Sequence, residues 1–143
     1  VLVRLQLDGG RYDRLVEQMQ RASALPVRLA ASGQPVDTAV VHFLPPGVTV
    51  VAERGQLRFA DAGAETATGY DALPATDTAV VFLSGADAGR VGRALEMAGA
   101  GALVLAQAPE SCYAAAAVTA LVAGGAVSAE PGDLAQALID RWH

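Results

Sequence analysis

Thr78-Ala79-Val80-Val81-Phe82-Leu83 is an unbroken apolar run, and it leads into the polar loop Ser84-Gly85-Ala86-Asp87-Ala88-Gly89. A helix-length segment to Ala98 follows, and then a second apolar run, Gly99-Ala-Gly-Ala-Leu-Val-Leu-Ala-Gln107. A short apolar run bounded by turn residues suits a strand buried on both faces, and two of them joined by a helix make a βαβ unit with a parallel sheet. In open parallel sheets ligands collect beyond the carboxyl ends of the strands, so the loop carrying Asp87 is the first place to look for function.

Working outward, Val1 to Leu7 alternates apolar and polar residues and exits through Asp8-Gly9-Gly10. This reads as a strand, expected beside Ala79–Leu83 and Ala102–Ala106 in one parallel sheet. Tyr12, Leu15, Val16 and Met19 share one helical face over residues 12–22. Leu25–Ala30 and Ala39–Leu44 read as strands too close in sequence for a helix between them, with a turn at Ser32-Gly33-Gln34-Pro35. A hairpin, with one following it, is the expectation there: Val48–Ala52 pairs with Gln56–Ala60 around Glu53-Arg54-Gly55. Asp61–Thr76 has no sustained period and reads as a surface loop or as a place where residues are missing from the sequence.

Beyond the central unit, Pro109-Glu110-Ser111 opens a helix from about Cys112 to Ala123, closed by Gly124-Gly125. Ala126-Val127 reads as a last edge strand. Asp133 is expected to cap a helix over residues 134–142, with Leu134, Ala137, Leu138 and Trp142 as its docking face. The whole is an α/β fold: doubly wound, mainly parallel and Rossmann-like, with a small β-hairpin insert in a three-layer αβα arrangement.

The 143 residues suit one compact domain, and an apolar content of 52% is enough for a core. A net charge of −5 without a basic cluster argues against nucleic acid and anionic membrane as partners. A single cysteine forms no internal disulfide, no leader is apparent, and no apolar run approaches the roughly 20 residues of a membrane span. The cytoplasm is the expected location. Val1 stands inside an expected strand, so the chain is expected to begin part-way through a longer product.

Few residues offer chemistry. Asp87 has three readings: it orients a histidine, binds a cation, or caps the helix after it, and capping is the simplest. Gly85, Gly89 and Gly92 give G-x-x-x-G-x-x-G, which departs from the dinucleotide spacing G-x-G-x-x-G, so no cofactor is expected. His42 reads as a core or edge side chain with a hydrogen bond, and His143 ends the chain. Cys112 with Ser111 resembles a nucleophile pair at a helix N-terminus, where the dipole favours a thiolate, but no base is placed beside them. Neither a Cys/His cluster nor H-E-x-x-H is present, so no metal is expected.

Three segments resemble the catalytic domain of CheB, the protein-glutamate methylesterase of bacterial chemotaxis. Val1-Leu-Val-Arg-Leu-Gln6-Leu is similar to its strand ending in Gln-His-Leu. Gly33-Gln-Pro-Val36 followed by Val40-Val-His-Phe-Leu-Pro-Pro-Gly47 resembles its G-x-P-(x)-V-Y-L-A-P-P-G segment. Ala106-Gln107 through Ser111-Cys112 to Gly125-Ala126-Val127 is similar to its A-Q-(x)-S-S…G-A-V run.

The resemblance implies a substrate, methyl glutamate esters on receptor helices, and two partners, a methyl-accepting receptor or a receiver-type regulatory domain. It implies a serine nucleophile ahead of Val1. It also puts Gln6 where the family has its histidine, and an amide does not titrate near neutral pH. Asp87, in the shortened loop Phe82-Leu-Ser-Gly-Ala-Asp87, is the best counterpart of the family's aspartate. Ser84, Gly85, Ser111 and Cys112 fall at the implied substrate groove, and Ala115-Ala-Ala-Val118 replaces the family's Y-G-M-P wall. Two function classes follow: an esterase with an impaired site, or a non-catalytic module that binds within the same signalling pathway. Gln6, Asp87 and the Ser111-Cys112 loop are expected to share one carboxyl edge.

Overall fold

Apolar runs and helical periods fold where their spacing places them, in eight strands and four α-helices among the described residues. The computed structural model describes residues 1–5, 7, 9–62 and 72–142. These form two compact units, Val1–Ala72 and Leu73–His143.

The first unit starts with β1 (Leu2–Arg4), α1 (Tyr12–Ala22), β2 (Val27–Leu29) and β3 (Val41–Leu44). The three strands form a parallel sheet in the order β1-β3-β2. The central position goes to β3, the most apolar of the three, whose His42, Phe43 and Leu44 are all buried. The ladder of β1 is therefore with β3, which corrects the expectation that β1 would join Ala79–Leu83 and Ala102–Ala106 in one sheet. Helix α1 keeps its expected limits, but only Tyr12 of its apolar face is fully buried, and Met19 is 39% exposed.

β2 and β3 are parallel, not a hairpin, although their link has no helix. Such a link has to satisfy its own backbone groups. Here it borrows the neighbouring hairpin, β4 (Val48–Glu53) paired antiparallel with β5 (Gln56–Asp61). Gly33 N–H donates to Phe59 O at 2.7 Å, Phe59 N–H to Gln34 O at 2.9 Å, and Val36 N–H to Leu57 O at 3.0 Å. The link thus lies alongside β5, with an isolated antiparallel bridge between Pro35 and Arg58. The hairpin turns at Arg54 and Gly55, with φ of 51° and 78°. Two positive φ values in a two-residue turn match the twist of the flanking strands, and glycine takes the second at no steric cost. Ala30, Leu44, Val48, Val50 and Phe59 form a buried core cluster, with Leu2, Val36 and Leu57 packed against it.

The second unit holds β6 (Ala79–Phe82), α2 (Val91–Gly99), β7 (Leu103–Gln107), α3 (Ala116–Ala123), β8 (Val127–Ala129) and α4 (Pro131–Trp142). Its strands form a parallel sheet in the order β6-β7-β8, so the central βαβ unit and the last edge strand stand as the sequence reads. Ala117, Val118 and Leu121 of α3 are essentially inaccessible to solvent. Each buried Val or Leu contributes about 1.5–3 kcal/mol relative to exposure. Helix α3 ends in a Schellman pairing: Ala126 N–H donates to Leu121 O and Gly125 N–H to Val122 O, with Gly125 at φ 105°.

The starts of α3 and α4 differ from expectation. Pro109–Ser111 makes a separate 3-10 turn and α3 starts only at Ala116, so Cys112 is in extended backbone and not at an α-helix N-terminus. Helix α4 starts at Pro131, the residue type suited to a first helical position, which places Asp133 within the first turn and not at the cap. Leu134 of α4 is buried, whereas Trp142 is 47% exposed and lies outside the docking face. Most of the expected loop over 61–76 falls on residues 63–71, outside the described residues; its last part, Ala75–Asp77, is a 3-10 turn. Among the described residues no helix is long and apolar enough to cross a membrane.

Candidate functional site

The carboxyl ends of β6 and β7 carry most of the residues singled out from the sequence. β6 ends in Phe82 and is followed by Leu83, 51% exposed, where the chain turns through Ser84 and Gly85. β7 ends in Gln107, and the chain turns through the 3-10 segment Pro109–Ser111 to Cys112, Tyr113 and Ala114.

Four of the predicted residues lie in one hydrogen-bonded group. Gln107 Oε1 accepts from Ser84 N–H at 3.0 Å, and Gln107 Nε2 donates to Ser111 O at 3.2 Å and to Ser111 Oγ at 3.3 Å. Ser84 Oγ accepts from Ala114 N–H at 3.0 Å, and Gly85 N–H donates to Ala114 O at 3.0 Å. Ser111 Oγ donates to Ala108 O at 2.9 Å, and Cys112 Sγ lies 3.4 Å from the same oxygen. Ser84, Gly85 and Ser111 thus meet through Gln107 and Ala114, and Cys112 shares the Ala108 oxygen with Ser111. Neither connector was singled out from the sequence as a site residue. The available signal was the carboxamide of Gln107, a hydrogen-bonding group closing an otherwise apolar strand.

Asp87 is turned to local tasks. Its Oδ1 accepts from Gly89 N–H at 2.9 Å, which makes it the N-cap of the 3-10 turn Ala88–Arg90. Its Oδ2 is 3.6 Å from Arg90 Nε, and the side chain is 65% exposed. Of the three readings open from sequence, capping matches these contacts. Gln6 lies outside the described residues, so the expected grouping of Gln6 with Asp87 and Ser111 is described only for its second-unit members. Its neighbours are anchored: Tyr12 Oη donates to Leu5 O at 2.8 Å and accepts from Leu7 N–H at 3.4 Å.

His42 sits in the core of the first unit at 2% exposure. Its Nε2 faces the Asp37 backbone, 3.1 Å from the N–H and 3.4 Å from the carbonyl oxygen, and to accept from the N–H it has to be unprotonated; Nδ1 is buried without a hydrogen-bond partner among the described residues. The ring packs edge-on against Phe59 at 4.9 Å between centroids. Burial, the leading cause, pushes its pKa below the ordinary histidine value; the neighbouring Val1 amine and Arg28 add to this, while Asp37 opposes it. A depression of about 230 Å³ lined by Arg28, Gln34, Pro35, Asp37 and His42 adjoins it. Arg28 and Asp37 are already paired there at 2.8 Å. Among the described residues no group of three or more His, Cys, Asp or Glu is placed to hold a metal ion.

Comparison with known proteins puts this geometry in a family. The sequence pattern of the CheB methylesterase family matches residues 1–138. The crystal structure of the Thermotoga maritima CheB methylesterase catalytic domain superposes with a TM-score of 0.83 at 19% sequence identity, covering 97% of this chain and 82% of that one. At that identity the likeness speaks for the fold: mixed α/β and Rossmann-like, with parallel sheets. No curated protein matches the chain. With the family pattern spanning nearly every residue and the fold agreeing with it, the chain belongs to the CheB methylesterase family.

Proposed function

We propose that this chain works in chemotaxis-type or pilus-type signal transduction as a CheB methylesterase domain whose hydrolytic step is impaired, and that it binds a methyl-accepting receptor. Family membership supports the methylesterase-type role in chemotaxis. The observation that carries the impairment is His42. A serine attacks an ester only if a neighbouring imidazole takes its proton, and His42 holds its Nε2 lone pair in a hydrogen bond from Asp37 N–H inside an apolar core. Gln6 stands at the position that the family resemblance assigns to the base, and it does not titrate there. Asp87, the best counterpart of the family's aspartate by resemblance, spends one oxygen on the cap of its own turn.

The test is methanol release from methylated receptor by the full-length protein, beside a Gln6→His variant and a binding measurement on the same receptor. Losing one member of such a triad costs on the order of 10⁴ in rate, so the unmodified protein is expected to bind the receptor and turn over far below a working esterase. Turnover at an ordinary enzymatic rate overturns the impairment. Absence of binding overturns the receptor as partner and directs attention to a receiver-type regulatory domain.

A further inference from the structure

Residues 37–39 of the link between β2 and β3 are held through one residue. The link is bonded to β5 as far as Val36, whose N–H donates to Leu57 O at 3.0 Å, and is bonded again at Val41, whose N–H donates to Pro26 O at 2.9 Å. Between these points, among the described residues, the hydrogen bonds that reach the segment all go to Asp37: its N–H lies 3.1 Å from His42 Nε2, and its carboxylate accepts from Arg28 at 2.8 Å. The Arg28–Asp37 pair is open to solvent, and such a pair contributes little. The bond to His42 matters more, because its acceptor is buried. Thr38 and Ala39 are exposed, and Ala39 has a φ of 57°, a left-handed backbone that a Cβ disfavours. A strained, exposed segment is therefore tied down by a side chain that can titrate.

His42 Nε2 is close to both polar groups of Asp37, 3.1 Å from the nitrogen and 3.4 Å from the carbonyl oxygen. Without a proton it accepts from the N–H. With one it has no lone pair to offer, sets its own N–H against that of Asp37, and can bond only the carbonyl. Nδ1 gives no relief, since it is buried without a partner among the described residues, and a charged ring under the closed segment would add an unpaired donor to a buried charge. Of the charged groups around the ring, the Val1 amine beside β1 and Arg28 on β2 oppose a positive imidazole, and Asp37 favours it. From β5 the ring meets uncharged Phe59. A depression lined by Arg28, Gln34, Pro35 and Asp37 adjoins His42, so an outward swing of residue 37 brings water to the ring without unpacking the core.

We propose that Asp37–Ala39 is a proton-released flap: bare His42 Nε2 latches it closed through the Asp37 N–H, and a proton on Nε2 releases it, opening the ring to water while β3 and β5 keep their pairing. The flap stands on the geometry of the first unit and is independent of the methylesterase reading.

The experiment follows amide exchange at Asp37, Phe43 and Phe59 in the full chain between about pH 5 and 8, corrected for intrinsic rates, without and with low urea. Asp37 is expected to be at least about tenfold less protected than Phe43 and Phe59, and its exchange should be insensitive to urea, because a local opening exposes little surface. Below about pH 6.5 its protection should fall by up to about tenfold per pH unit, as the opened ring takes a proton that the closed one refuses. His42→Gln keeps an acceptor and is expected to remove this pH dependence. Asp37→Asn, which removes the ion pair but leaves the backbone N–H, is expected to retain it. Ring nitrogen shifts at about pH 8 should show Nε2 without a proton. Protection at Asp37 that is flat with pH, or that falls equally in His42→Gln, overturns the proposal. So does exchange at Asp37 with the rate and urea slope of Phe43 and Phe59, which is unfolding of the whole unit, and so does a protonated Nε2 at about pH 8, which leaves no latch to release. Loss of the pH dependence in Asp37→Asn would make the carboxylate the trigger and overturn the role of the ring. Should His42→Gln fail to fold, the exchange and ring measurements on the unmodified protein still decide.

Discussion

Replacing His42 by Gln removes a group whose protonation is coupled to the folding of the first unit. In the folded chain the ring is neutral, because Nε2 accepts Asp37 N–H and the side chain is buried, and its pKa lies below the ordinary value. In the unfolded chain the same ring takes a proton near the ordinary value of about 6.5. Below that pH and above the folded pKa, the unfolded state holds one more proton than the folded state. Stability therefore falls as pH drops from about 6.5, at up to about 1.4 kcal/mol per pH unit for the one proton, and this contribution levels off below the folded pKa. Above about pH 7.5 the residue contributes no slope.

Glutamine offers an amide oxygen to Asp37 N–H but does not titrate, so His42→Gln should keep the acceptor and lose the slope. Urea unfolding from pH 5 to 8 on both proteins isolates the effect, since the carboxylates common to both cancel in the difference. The ring resonances of His42 give the folded pKa directly. Parallel stability profiles for the two proteins, or a ring that titrates at or above about 6.5, would refute the reasoning. The latter result would also return His42 to consideration as a base.

Two further substitutions probe packing and anchoring. A Cβ at Gly124 would lie 2.4 Å from Leu95 Cδ1 and 2.8 Å from Cδ2, so Gly124→Ala forces Leu95 from its place between α2 and α3. Overpacking at about 1–3 kcal/mol outweighs the gain of about 0.4–1 from a stiffer unfolded chain, which predicts a net loss of about 1 kcal/mol. A thermal melt at or above that of the unmodified protein contradicts this, and adding Leu95→Ala should show a favourable coupling. Tyr12→Phe removes the bond to Leu5 O and is expected to cost about 1 kcal/mol in urea unfolding, with faster exchange at the Leu7 amide. Unchanged protection at Leu7 would show that the hydroxyl does not hold this segment.

The central unit around Ala79–Gln107 was legible because two apolar runs and a helical period need no distant partner to be recognised. The limits of α1 and the hairpin turn at Arg54-Gly55 were legible for the same reason: both are set by neighbours in sequence. The capping role of Asp87 also follows from its place just ahead of a turn. Strand partners are another matter. That β1 pairs with β3 is a long-range choice, and the parallel run of β2 and β3 across a link without a helix goes with β5 offering hydrogen bonds to residues 33–36, a pairing that no local pattern records. The start of α3 at Ala116 depends on Ser84 and Gly85 binding Ala114, which holds the preceding residues out of the helix. The unavailability of His42 and the bridging role of Gln107 are likewise tertiary facts. A histidine or a glutamine in a strand carries several possible hydrogen bonds, and only the fold chooses which of them are made.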